Sequence, residues 1–146
     1  MPTSFCHLAA HIIFTTKGRR QLIKNSMKSK LYSYIAGIIK RLKGKPIIIN
    51  GTNDHIHILC LLPKDESPSK LVQNIKTGSS KWILDTYDKL FAWQKGYAMF
   101  SVSKSISDSV IDYIANQEEH HKKVSFSIEI QQYLKLHGID NGKDNF

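Results

Sequence analysis

The sequence predicts an α+β fold of the ferredoxin-like class: a four-stranded antiparallel sheet with helices on one face, plus a C-terminal helix carrying a tyrosine. Three observations predict it. Strand-like and helix-like segments follow one another as β-α-β-β-α-β, the order of a split βαβ arrangement. The middle two strands are separated only by Gly51 to Asp54, residues suited to a hairpin turn. The sheet is then left with one uncovered face, and an amphipathic helix after the last strand can cover it, in its own chain or in a partner's.

"FCHLAAHIIFTTK" mixes β-branched and aromatic residues and reads as the first strand, about residues 5–16, ended by "GRR". From Gln21 to Lys43, Leu31, Ile35, Ile38, Ile39 and Leu42 recur at helical spacing, with lysines on the polar surface. "GKPIIINGTNDHIHILCLLP" supplies the hairpin. "SPSKLVQNIKTGSSKWILDTY" is the second long helix, capped by Ser67 or Ser69 and interrupted by Gly78. "GYAMFSVS" alternates as the fourth strand. "SISDSVIDYIANQEEHHKK" reads as one continuous third helix, capped by Ser105 or Ser107, with Ile106, Val110, Ile111 and Ile114 on its buried stripe. "FSIEIQQYLKLHG" is a short final helix, with Gly138 as its stop.

The 146 residues fit one domain, 1–146, with residues 139–146 as a flexible tail. Hydrophobic content of 41% and charged content of 23% are those of a globular protein. No run approaches the roughly 18 apolar residues of a membrane span. The N-terminal stretch lacks the charged segment of a signal peptide. Cys6 and Cys60 form no CxxC pair and read as buried hydrophobes, which together predicts a cytoplasmic protein. Residues 1 to 53 carry ten Lys and Arg and no acid, within a net charge of +9. A basic half of this kind marks a polyanion partner, with nucleic acid the first candidate.

The apolar run after Asp54 contains His55 and His57. Side chains two apart on a strand share a face, about 6.5–7 Å from one another along the backbone. The two imidazoles therefore project together, while Ile56 and Ile58 face the helix-covered core. A satisfied core hydrogen bond, a metal ion and a phosphate are all open to such a pair. The histidine-triad pattern is absent, because its third position is Leu59, and so is a pair of His-x-Thr motifs. No HxxEH or nearby third ligand with zinc-hydrolase spacing follows. A His-hydrophobic-His motif in a basic ferredoxin-like frame remains. On the third helix, Tyr113 and Gln117 lie four residues apart and so share a face. Taken alone, they read as a boundary residue at the stripe's edge and a solvated amide; the His-hydrophobic-His strand is what gives the pair weight as a site. His120 and His121, with Glu118 and Glu119, diverge around the helix axis and read as a solvated helix end rather than a metal cluster.

In this order the segments "HIIFTTKGRR", "DHIHILCLLP", "SPSKLVQNIKTGSSKWI", "FAWQKGYAMFSVS" and "YIANQEEHHKK" resemble the single-tyrosine HUH transposases, over roughly residues 7–138. That family moves insertion sequences as single-stranded DNA. The ending "EEHHKKVSF…LKLHGI" is similar to its branch associated with repeated palindromes in bacterial chromosomes. Gly18 stands where the family's basic turn has an aromatic residue. The resemblance implies that His55, His57 and Gln117 hold one divalent metal ion, Mg2+ or Mn2+, with no nucleotide cofactor. It implies that Tyr113 attacks a DNA phosphodiester, and that Lys17, Arg19 and Arg20 grip a DNA hairpin. It further implies a homodimer acting on nucleoid DNA, in which the tyrosine helix can complete the partner's site. Asp54 is then either an orienting partner for an imidazole or a plain turn residue. The competing expectations are an inactive or domesticated homologue that binds structured nucleic acid without cutting it, and a nicking enzyme of replication.

Overall fold

The computed structural model describes residues 4–140; most of the expected tail, 141–146, lies outside the described residues. Four strands, β1 (Ala9–Thr15), β2 (Lys45–Gly51), β3 (His55–Leu61) and β4 (Ala98–Val102), form one sheet in the order β2-β3-β1-β4. All three pairings are antiparallel, and His57 lies between Ile13 on β1 and Asn50 on β2. The strand carrying the histidines is therefore central, hydrogen-bonded on both sides. Pro46 lies on β2, an edge strand, where a missing N–H is tolerated; a bulge follows it before Ile48.

Two helices, α1 (Lys28–Arg41) and α2 (Pro68–Thr86), cover one face. Strand alternation sends Ala10, Ile12 and Phe14 of β1 and Ile56, Ile58 and Cys60 of β3 into this layer. There they meet Leu31, Ile35 and Ile38 of α1 and Leu71, Ile75 and Ile83 of α2. Ser67 caps α2, accepting from the Lys70 N–H at 3.2 Å. Gly78 does not interrupt α2. A Cβ there would come within 2.8 Å of Ile38 Cδ1, so the glycine lets the two helices cross closely.

The opposite face is covered within the same chain by α3 (Ser107–Ala115), α4 (Gln117–His121) and α5 (Phe126–Leu136). Ile114 of α3 packs with Ala9, Leu59 and Val102, and the Asn50 side chain on β2 donates to the Ile114 carbonyl at 2.9 Å. Phe126 and Ile130 of α5 pack on Ile13, Ala98 and Phe100. The continuous third helix expected from the sequence is broken at Asn116, whose φ of −104° and ψ of 26° leave the helical region. Neither Ser105 nor Ser107 caps α3; a single 3-10 turn, Lys104–Ile106, leads into it, and Ile106 is exposed rather than on the buried stripe. Gly138, at φ 68°, ends α5 in the left-handed conformation expected of a C-terminal stop.

Candidate active site

Alternation along β3 turns His55 and His57 onto the face covered by α3–α5, where both are buried. The hairpin turn fixes the first ring. His55 donates its Nδ1–H to Asp54 Oδ1 at 2.7 Å, and the Thr52 hydroxyl donates to the same oxygen at 2.9 Å. Burial works against ionisation of Asp54, but the hydrogen bond and charge of His55 outweigh it and hold the carboxyl below its usual range. Asp54 is thus the orienting partner, not a plain turn residue. Its bond fixes the ring so that Nε2 is directed into the site. Nε2 lies 3.3 Å from Gln117 Oε1.

His57 is held from both sides. His11 of β1, also buried, places Nε2 2.7 Å from His57 Nδ1, and His57 Nε2 lies 3.0 Å from Glu129 Oε1. Burial is the largest influence on both rings. It lowers His57 to about 4 against the pull of Glu129, and lowers His11 to about 3 with the help of His57. At neutral pH the row is therefore two uncharged imidazoles ending on a carboxylate.

Glu129 is 1% exposed and comes from α5. Its Oε2 accepts the Tyr113 hydroxyl and lies 3.0 and 3.1 Å from Nε2 of His120 and His121, although neither ring is aligned as a hydrogen-bond donor. Burial works against ionisation of Glu129. The contacts of His121, His57 and Tyr113 outweigh it and keep the carboxyl far below its usual range. The Tyr113 phenol is pushed far above its usual value, by burial first and then by Glu129.

The residues singled out from the sequence thus converge in part. His55, His57, Tyr113 and Gln117 meet at one place, with 5.7 Å between the Tyr113 and His57 ring centres. Tyr113 and Gln117 do so across the break at Asn116, not along one helix. His120 and His121 are not a solvated end; both rings turn inward to Glu129. Glu129 was missed, although its signal was present. It sits with Phe126, Ile130 and Tyr133 at helical spacing, an acid on an otherwise buried stripe. Lys17, Arg19 and Arg20 lie exposed at the end of β1. Gly18 and Arg19 take φ of 64° and 53°, so glycine suits a turn where a bulkier residue would be strained. Arg19 Nη1 donates to Ser127 Oγ at 2.8 Å and its guanidinium lies over the Phe126 ring, which in turn stacks on His55.

One atom from each of His55, His57, His121 and Glu129 falls within 4.8 Å of the others, so the donors present fit a divalent metal ion. This buried cluster faces a phenol, in a chain whose first 53 residues carry ten Lys and Arg and no acid.

The family model for IS200-like transposases matches residues 4–117. The chain belongs to the IS200-like transposase family. Among solved structures it is similar to a protein of Deinococcus radiodurans R1 assigned as a transposase, with a TM-score of 0.64 and 18% identity over 80% of this chain and 96% of that one. It is also similar to a REP-associated tyrosine transposase bound to a REP hairpin, with a TM-score of 0.63 and 14% identity over 100% of this chain and 93% of that one. At these identities the likeness is one of fold. No curated protein matches the chain. As an IS200-like family member it has, among its described residues, no helix long and apolar enough to cross a membrane.

Proposed function

We propose that the protein cuts and rejoins single-stranded DNA at hairpin-flanked sites, with Tyr113 as nucleophile. The observation that carries this reading is the convergence of the Tyr113 phenol with His55, His57 and Gln117 on one face of the sheet. Tyr113 Oη bonds to phosphorus and loses its proton; the P–O3′ bond breaks and the 3′ oxygen leaves as a hydroxyl. The resulting 5′-phosphotyrosine conserves the bond energy, and a phenolate is a good enough leaving group for another 3′-hydroxyl to reverse the step without ATP. A divalent ion, Mg2+ or Mn2+, held by His55, His57 and Gln117, would polarise the scissile phosphate. Asp54 orients His55, and His11 orients His57. Lys17, Arg19 and Arg20 neutralise hairpin phosphates, a role supported by their exposure beside the site and by the relative bound to a REP hairpin. The proposed assembly is a homodimer on nucleoid DNA. Tyr113 faces the histidines of its own chain, which supports sites completed within a protomer.

A second reading, structured-DNA binding without cleavage, draws on the Tyr113–Glu129 contact, which ties up the phenol. One experiment separates the two. Labelled single-stranded hairpin DNA, incubated with the protein and Mg2+ or Mn2+, gives a covalent adduct on a denaturing gel, and Tyr113→Phe abolishes it. An adduct that survives in Tyr113→Phe sinks the nucleophile assignment. Tight binding with no adduct under either ion favours the second reading.

A further inference from the structure

Glu129 and His121 lie beyond the residues that match the family model, 4–117, yet they occupy the centre of the site. Glu129 Oε1 is 3.0 Å from His57 Nε2 and 3.9 Å from His55 Nε2, and Oε2 is 3.1 Å from His121 Nε2. The carboxylate is fully enclosed, and His121 is 14% exposed. No Lys or Arg neutralises Glu129 among the described ion pairs; its neighbours are imidazoles and a phenol. A carboxylate buried this way needs a cationic partner, and imidazoles able to ligate surround it on three sides.

We propose that Glu129 and His121 join His55 and His57 as ligands of a divalent transition-metal ion in the DNA-free protein. Three imidazoles and one carboxylate match the preferences of Zn2+ and its first-row neighbours, whereas Mg2+ favours oxygen donors and retains water. The Asp54 bond to His55 and the His11 contact with His57 supply the outer partners that such ligands require. The inference deepens the function proposed above and rests on it in one respect. A scissile phosphate that binds the same ion would have to exchange with the Glu129 carboxylate.

Calorimetric titration of the full-length protein with Zn2+ and with Mn2+, without DNA, tests the ligand set. Glu129→Ala, Glu129→Gln and His121→Ala are each expected to weaken binding at least ten-fold. Unchanged affinity, within two-fold, in both Glu129 variants overturns the assignment. Because a variant at a buried carboxylate can misfold, the unaltered protein loaded with Zn2+ is also measured by X-ray absorption. Three imidazoles and one carboxylate oxygen are expected; two imidazoles overturn the proposal. Repeating the titration with a hairpin oligonucleotide present tests the exchange. The difference between parent and Glu129→Gln should shrink to within two-fold, and a difference that persists overturns it. The DNA-free measurements do not depend on cleavage. Glu129-dependent metal binding without any adduct therefore sinks the strand-transfer reading alone, and an adduct with Glu129-independent binding sinks this one alone.

Discussion

At the scale of single residues, the site is built from groups that burial has pushed away from their ordinary titration. His57 and His11 titrate near 4 and 3, against about 6.5 in an unfolded chain. Below pH 6.5 the unfolded state therefore binds protons that the folded state refuses. Stability from these rings is complete above about pH 6.5 and is lost as the pH falls towards about 4 for His57 and about 3 for His11. Asp54 and Glu129 are held below the usual carboxylate range, so they remain ionised in both states until the pH nears 4.5 and do not shape the slope above it. In metal-free buffer, thermal unfolding between pH 6.5 and 5 should show falling stability, at up to about 1.4 kcal/mol per pH unit for each ring. His11→Gln, which keeps a hydrogen-bonding group but cannot titrate, should flatten that fall. Equal slopes in the two proteins would exclude His11 as a source.

At the scale of elements, the β2–β3 hairpin presents the histidines, and its geometry leaves no slack. A Cβ added at Gly51 would lie 2.2 Å from the His55 carbonyl oxygen, a backbone atom that cannot step aside cheaply. Gly51→Ala should destabilise the protein by about 1–3 kcal/mol in denaturant unfolding, as overpacking does. It should also weaken metal binding, because relief requires the start of β3 to move. Gly37 in the middle of α1 is the control: nothing lies within 4 Å of its added Cβ. Gly37→Ala should be neutral or stabilising by up to about 1 kcal/mol, since alanine is the better helix former. A neutral Gly51→Ala would show that the hairpin is not a rigid support for the histidines. The break at Asn116 matters for the same reason. On its two sides Tyr113 reaches Glu129 and Gln117 meets His55, so the two short helices together close the site.

At the scale of the whole molecule, charge and site lie in a consistent relation. The ten basic residues of positions 1 to 53 have no acid among them, and the turn at Lys17–Arg20 touches α5 through Arg19. If this turn grips DNA, each phosphate contact releases counterions and steepens the salt dependence of binding. The triple replacement of Lys17, Arg19 and Arg20 by alanine should reduce the slope of log affinity against log salt by about 2–3 for hairpin DNA. An unchanged slope would move the DNA grip elsewhere on the basic half.

The sequence by itself determined the order of strands and helices along the chain, the faces of the strands and the pairing of His55 with His57. Alternation and helical periodicity are local properties that burial enforces residue by residue. It also carried the family resemblance, because that depends on segments in order. Only the tertiary structure decided what the histidines meet. Glu129 lies 72 positions from His57 along the chain, and no spacing rule links an acid on the last helix to a strand so far away. The same holds for His120 and His121, which a continuous helix would have splayed into solvent. The turns after Ala115 bring them back over the sheet, and that return depends on the packing of Phe126 and Ile130 against Ile13 and Phe100. A buried carboxylate among imidazoles is a product of long-range packing, and packing is what local pattern cannot encode.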